Sequence, residues 1–376
     1  AAALKYGILI ESISNLETLK TMGALGHVQW KWEESSGDIA QKSIKSRILS
    51  SSIMTVTALL IQLNTVALLI VGVYLIGDNV LSMGGLIAVV ILSSRTIAPM
   101  GQLAGLIANY EQVKATYTML DEIMQLPSEH DVGNNFVHRE NLHGKIEFKE
   151  VSFTYPDAPK EVLSRVSFTI NPGEKVAIIG KVGSGKTTLQ KLILGLYSTS
   201  SGTVLLDDVD IAQIDPVDIR KDMAYVSQDV SLFRGTLKEN IVYKTPDVSD
   251  DEILQAVELS GVGKFANTHP KGLQMNIGER GSGLSGGQIQ SIAIARAMLV
   301  EAPIYLFDEP TNAIDGTEER KLLAKLKAGI GDKTLILVTH KPSLLDIVDR
   351  IIVFDDGKIV LDDKRDVVLQ SLKHRK

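Results

Sequence analysis

The sequence predicts an α/β domain built on a mostly parallel sheet, preceded by an all-α region that enters a membrane. Two observations lead there. From Ile48 to Gly77 thirty residues pass without a charge, and as far as Tyr110 the only charged side chains are Asp78 and Arg95. After residue 144, short β-branched runs alternate with helical segments, the pattern of a parallel sheet covered on both faces. At 376 residues the chain should hold two or three domains. Hydrophobic residues at 44% and charged residues at 22% exclude a disordered or fibrous chain. With no cysteine, disulfides, thiolate metal sites and cysteine nucleophiles are excluded, and a net charge of -6 argues against a nucleic-acid partner.

Residues 1–47 carry apolar side chains at helical spacing, such as Leu9, Ile13, Leu16 and Leu19, interrupted by Gly23 and Gly26. They read as membrane helices continued into water and joined by a short turn near Glu33 to Asp38. About 20 apolar residues cross a bilayer, which places spans near residues 53–76 and 85–106. The turn between them lacks lysine and arginine, whereas the preceding segment has Lys20, Lys31, Lys42, Lys45 and Arg47. By the positive-inside rule both flanks are cytoplasmic. Gln62, Asn64 and Arg95 favour the competing reading of two buried helices in a soluble domain. Polar residues within a span face other helices, so further spans are expected. The chain opens on Ala1-Ala2-Ala3 in a helical pattern, with no initiator methionine or signal-peptide pattern, and so reads as the C-terminal part of a longer polypeptide.

Residues 127–144, rich in Pro, Gly, Asn, His and charge, read as a linker. Strands are expected at Ile146–Tyr155, Val166–Ile170, Lys175–Ile179, Thr203–Leu206, Met223–Val226, Ile304–Phe307, Thr334–Val338 and Ile351–Phe354, the last closed by an Asp356-Gly357 hairpin turn.

The strand Lys175–Ile179 runs into Gly180-Lys181-Val182-Gly183-Ser184-Gly185-Lys186-Thr187, followed by Thr188 and a helical pattern. This is the phosphate-loop spacing. Its glycines let backbone N–H groups turn inward on phosphate oxygens, and the helix start adds its positive end. Lys186 suits the β and γ phosphates of a nucleotide, and the Thr187 hydroxyl suits Mg²⁺. The strand Ile304–Phe307 ends in Asp308-Glu309-Pro310. Asp308 is placed to hold Mg²⁺ through water, since this ion dehydrates reluctantly, and Glu309 to polarise the water attacking the γ-phosphate. Alone, such an Asp-Glu pair is often only a solvated turn.

The stretch Leu284-Ser285-Gly286-Gly287-Gln288 precedes a helix at Ile289–Leu299. With these motifs in this order, the chain from about Gly144 onward resembles the ATP-binding cassette (ABC) family. The resemblance implies a RecA-like core with a helical subdomain at about residues 229–300. It implies ATP bound by Tyr155 against the adenine, by Gly180, Gly183, Ser184, Gly185, Lys186, Thr187 and Thr188, and, across a dimer interface, by Ser285, Gly287, Gln288 and Asp315 of the second subunit. It further implies Mg²⁺ at Thr187, Gln228 and Asp308, and catalysis by Glu309, His340, Lys186 and Gln228. Asn312 to Asp315 resembles the loop that touches the twin site, and Gly278 to Gly281 a stretch facing the membrane domain. Outside this set, Tyr155 would read as core, Gln228 as unremarkable and His340 as structural. One departure stands out: the family commonly has basic residues where this chain has Ile289 and Ser291.

Spans on the same polypeptide as the nucleotide domain resemble exporters, with residues 1–126 a partial transmembrane domain, 127–144 the linker, and 145–376 the nucleotide domain. A coupling helix is expected near residues 29–38. Within exporters, Glu17 to Lys20, Asp215-Pro216, Tyr225 to Asp229, Leu232 to Thr236 and Gly281 to Leu284 resemble the type I secretion group. That resemblance implies an ATPase driving a protein substrate across the bacterial inner membrane as a dimer, with a membrane-fusion adaptor and an outer-membrane channel as partners. An exporter of lipid, drug or peptide, and a soluble cassette ATPase acting on DNA or ribosomes, are the alternatives.

Overall fold

The computed structural model describes residues 2–126, 128–129, 136–139, 141–156 and 158–374; within helices, the side chains at 2, 46, 50, 97–109, 111–112 and 374 are outside the description. The chain divides into two compact units, residues 1–128 and 129–376.

The first unit is all α: α1 (Ala2–Ser14), α2 (Leu16–Thr21), α3 (Leu25–Gly77) and α4 (Met83–Met124). The helix break expected near Glu33 to Asp38 falls instead at Met22 to Ala24, where Gly23 takes φ 65°, a conformation no helix continues through. Residues 29–38 form an uninterrupted part of α3. Their one glycine, Gly37, costs about 1 kcal/mol, and α3 runs on through it for 53 residues. Gln29 also donates to Glu33 Oε1 one turn on, at 2.8 Å. At 1.5 Å per residue α3 extends about 80 Å, and its apolar window is, among the described residues, the one stretch long and apolar enough to cross a membrane. Met83–Thr96 is a shorter apolar run; the remainder of the second expected span, through residue 106, lies outside the described side chains.

Ser82 caps α4, its hydroxyl accepting from Gly85 N at 3.1 Å. Between α3 and α4, Asn64 donates to Ser93 Oγ at 2.7 Å, so the polar residue that favoured a soluble reading is matched across the hairpin. Hydrogen bonds between membrane helices average about 0.6 kcal/mol. Asn64→Leu should therefore weaken the helix pair by about that amount, read as a small loss of thermal stability in detergent; a loss beyond about 2 kcal/mol would assign Asn64 more than this one bond.

In the second unit, the linker expected at 127–144 is divided. Residues 127, 130–135 and 140 lie outside the described set. The rest is fastened down: Glu129 pairs with Arg220, Val137 N donates to Gln213 O at 2.8 Å, Leu142 N to Asp222 at 3.1 Å, and His143 N and Lys145 N to Asp207 at 2.6 and 2.8 Å. Carboxylates of Asp207, Asp218 and Asp222 that accept backbone N–H groups make a strap of the stretch that composition alone marked as a linker.

Two main sheets follow. The larger has the order β12-β11-β3-β10-β9-β6, with β3 Lys175–Gly180, β6 Met223–Val226, β9 Ile304–Asp308, β10 Thr334–Val338, β11 Arg350–Asp355 and β12 Lys358–Lys364. All pairs are parallel except β11–β12. The strands β1 (Ile146–Phe153), β2 (Leu163–Ile170), β4 (Ser201–Leu206) and β5 (Val209–Asp210) form a separate antiparallel sheet ordered β2-β1-β4-β5, beside the mostly parallel sheet that alternation implied. Period-2 runs reveal strands but not which sheet they join. A third pair, β7 (Gly235–Thr236) and β8 (Asn276–Ile277), lies in the helical part.

Helices α5 (Lys186–Ile193), α6 (Pro216–Lys221), α7 (Leu237–Ile241), α8 (Asp250–Ser260), α9 (Gly263–Ala266), α10 (Gly286–Met298), α11 (Gly316–Ile330) and α12 (Arg365–His374) complete the unit. One core joins the antiparallel sheet to the central sheet around Phe148, Leu189 and Ile336. A second packs α10 and α11 on the other face, around Phe307, Leu326 and Leu337. A third, around Leu237, Ile253 and Ile292, gives the stretch from 230 to 300 a core of its own. Because β3, β6, β9 and β10 are parallel neighbours, the loops after all four emerge at one end of the sheet, where such folds bind ligands.

Candidate functional site

The phosphate loop leaves β3 and closes on α5. Gly185, its last residue before Lys186, has φ 97°, and a Cβ there would sit 2.7 Å from Leu163 and 3.0 Å from Val162 O, so only glycine lets the loop turn into the helix. Leu189, Leu192 and Ile193 bury one face of α5, and buried Gln190 donates to Phe307 O at 3.0 Å, pinning the helix to β9. Lys186 is buried, its Nζ donating to Gly180 O at 2.9 Å and Lys181 O at 2.7 Å. Burial lowers its pKa, opposed by Glu309 and Asp308, which places both carboxylates within electrostatic reach of the ammonium.

Asp308 ends β9 and is 1% exposed. Burial raises its pKa; the Thr187 hydroxyl and Lys186 work against that. Neither of its oxygens has a partner at full hydrogen-bond geometry. Glu309, next in line, is buried in the left-handed region at φ 48°, uncommon for a non-glycine residue. Its N donates to Val338 O at 2.9 Å. Burial raises the pKa of its carboxyl, opposed first by His340, whose Nε2 lies 3.4 Å from Glu309 Oε1. His340 follows β10 and is about half exposed on its side chain, at 47%.

Gln228 lies two residues past Val226, which pairs with Phe307 beside Asp308, and its side chain is exposed. Lys186, Thr187, Asp308, Glu309, Gln228 and His340 thus come to one end of the sheet from four strands. An oxygen set of one hydroxyl and a buried, under-compensated carboxylate fits a hard divalent cation. Tyr155 stands at the edge of this group. Its hydroxyl is 3.1 Å from that of buried Thr188, and its ring meets Phe153 and Tyr197 edge-on at 4.8 and 5.1 Å, with Lys191 Nζ 5.7 Å from its centroid.

The remaining expected residues gather elsewhere. Ser285 caps α10 in a reciprocal box, accepting from Gln288 N at 3.3 Å while its own N donates to Gln288 Oε1 at 2.9 Å. A Cβ on Gly287 would meet Ala313 O at 2.8 Å. Ser285, Gly287, Gln288 and Asp315 line one cavity of about 400 Å³, to which no phosphate-loop residue contributes. The departures have local explanations. Ile289, partly buried, packs its side chain on the helical-subdomain core, and Ser291 lines the same cavity as Ser285. Sequence reasoning missed three side chains that hold the site: Gln190, Gln290 and Lys341. For Gln190 and Gln290 a polar residue at an apolar-facing helix position was the only signal, weak without coordinates, and for Lys341, in the loop after β10, there was none.

A phosphate loop joined to a strand-end carboxylate pair, with a capped Ser-Gly-Gly-Gln helix in the same domain, defines a nucleotide-binding domain of the cassette type. Residues 163–312 match the ABC transporter family, and residues 3–100 match the ABC transporter transmembrane region. The chain belongs to the ABC transporters, with a transmembrane region followed by a nucleotide-binding domain. It is 34% identical over 371 residues to the leukotoxin translocation ATP-binding proteins LktB of Mannheimia glucosida and Mannheimia haemolytica, over 98% of this chain and 52% of theirs. The chain therefore spans about half the length of these curated relatives. A solved bacterial Atm1-family ABC exporter with ATP bound superposes at a TM-score of 0.89 with 28% identity, over 98% of this chain and 64% of that one.

Proposed function

We propose that the protein of which this chain forms part hydrolyses ATP to drive export of a protein across the bacterial inner membrane. The carrying observation is the likeness to leukotoxin translocation proteins along 98% of the chain, through both its regions. The transmembrane match at residues 3–100 argues against the soluble cassette reading.

The site's own groups supply the chemistry. On nucleotide binding, Lys186 exchanges the two loop carbonyls it now holds for phosphate oxygens, and the loop amides follow. Thr187 and Asp308, with Gln228, would hold Mg²⁺, which when bound neutralises phosphate charge. Glu309 orients the attacking water and accepts its proton, while His340 holds the carboxylate in place. Tyr155 offers its ring to the adenine. Ser285, Gly287, Gln288 and Asp315 serve a second subunit's nucleotide. Their separation from the phosphate loop within one chain supports this division, because one copy then holds two half-sites. Residues 1–126 as a partial transmembrane domain and 145–376 as the nucleotide domain complete the reading, and a membrane-fusion adaptor and an outer-membrane channel are the partners implied.

The test is secretion. Deletion of the full-length gene should retain one large protein substrate inside the cell, and the wild-type gene, but not a Glu309→Gln copy, should restore its release. Unchanged release of secreted proteins, with a lipid or small molecule accumulating instead, would favour the other exporter reading.

A further inference from the structure

Gln290 lies two residues past the Leu284–Gln288 stretch and is 5% exposed. A buried side-chain amide needs partners at both ends, and here both go to the loop after β9. Its Nε2 donates to Glu309 O at 2.9 Å, and its Oε1 accepts from Ala313 N at 2.8 Å. The first partner is the backbone of the residue carrying the proposed catalytic carboxylate. The second belongs to the residue whose carbonyl Gly287 closely approaches. The same loop is gripped by Lys341, which follows His340: its Nζ donates to Thr311 O at 2.7 Å and pairs with buried Glu319 at 2.5 Å. Glu309 holds φ 48° inside this clamp, a conformation that persists only where surrounding contacts impose it.

We propose that Gln290 is a positioning residue for Glu309: one side-chain amide ties the backbone of the hydrolytic residue to the helix bearing Ser285 and Gly287, so that a displacement of α10 reaches the carboxylate directly. Ile289 and Ser291, on either side, make no such contact, which identifies the intervening glutamine as the connecting residue. The inference rests on the hydrolytic reading above.

The test is made in the full-length protein reconstituted in lipid vesicles. Gln290→Met keeps length and volume but removes both hydrogen bonds. Gln290→Glu keeps the acceptor for Ala313 N and sets a lone pair against Glu309 O. Each should lower kcat by roughly 10- to 100-fold, the scale of a small misplacement of a reacting group, with ATP affinity unchanged. In a Glu309→Gln background, read by single-turnover hydrolysis, neither should lower the residual rate further. If Gln290→Met does not fold, Gln290→Glu decides. Wild-type kcat, an equal fall in ATP affinity, or the same fold-loss in the Glu309→Gln background overturns the inference. Absence of turnover in the unaltered protein overturns the hydrolytic reading and this inference together.

Discussion

Glu309→Gln should reduce ATP turnover by about 10²- to 10⁴-fold, the range for loss of a positioned general base, while ATP binding persists. Glutamine keeps the shape but cannot take a proton from water. Removing a negative charge from a buried pocket shared with Asp308 also spares the incoming phosphates repulsion, so ATP affinity should stay level or rise, and nucleotide should remain trapped. The pH profile carries the same information. Burial raises the Glu309 carboxyl above its ordinary value of 4.5, with His340 opposing. The base works deprotonated, so wild-type turnover should fall as pH falls through a midpoint above 4.5. A carboxyl whose folded pKa is raised costs the fold stability as pH rises from the ordinary value through the raised pKa, and the full cost is present above it. The variant should therefore be at least as heat-stable as the wild type at neutral pH, which separates lost chemistry from lost fold. More than half the wild-type kcat in the variant would remove Glu309 from the mechanism.

Lys186→Ala should weaken ATP binding by about 10- to 100-fold, since hydrogen bonds to charged groups contribute roughly 1.5 to 3 kcal/mol, and abolish measurable turnover. The ammonium is the one described cation donating to the loop carbonyls of Gly180 and Lys181. Alanine loses the charge and leaves those carbonyls to water. Titration with a fluorescent ATP analogue reads the affinity. An unchanged dissociation constant would mean that loop amides alone hold the phosphates. Mixing Lys186→Ala with a Ser285→Ala chain, each defective alone, should restore part of the activity if sites are shared between subunits; no recovery would count against that sharing.

The candidate site was legible because its motifs are local. The phosphate loop is eight consecutive residues, and the strands Met223–Val226 and Thr334–Val338 have the same ends in the structure as in the sequence pattern. Less was readable where distant segments decide. Alternation marks β1, β2 and β4 as strands, yet their membership of a second sheet depends on pairings such as Ile146 with Ile170 and Leu206. A glycine counts as a break only in its backbone setting, so Gly23 ends a helix while Gly37 does not. Gln290 and Gln190 read as stray polar residues until the carbonyls they meet are known.

From the residues alone came the candidates for the reactive groups and the two-part build of an apolar helical region ahead of an α/β domain, because spacing of a few residues and runs of uncharged side chains survive in one dimension. The convergence of Lys186, Asp308, Glu309 and His340, the separation of Ser285 and Gly287 into a cleft of their own, and the amide that joins α10 to Glu309 were decided only in three dimensions. Parallel strands bring the ends of remote segments side by side, and burial then sets which charges are felt and which polar atoms must find one another.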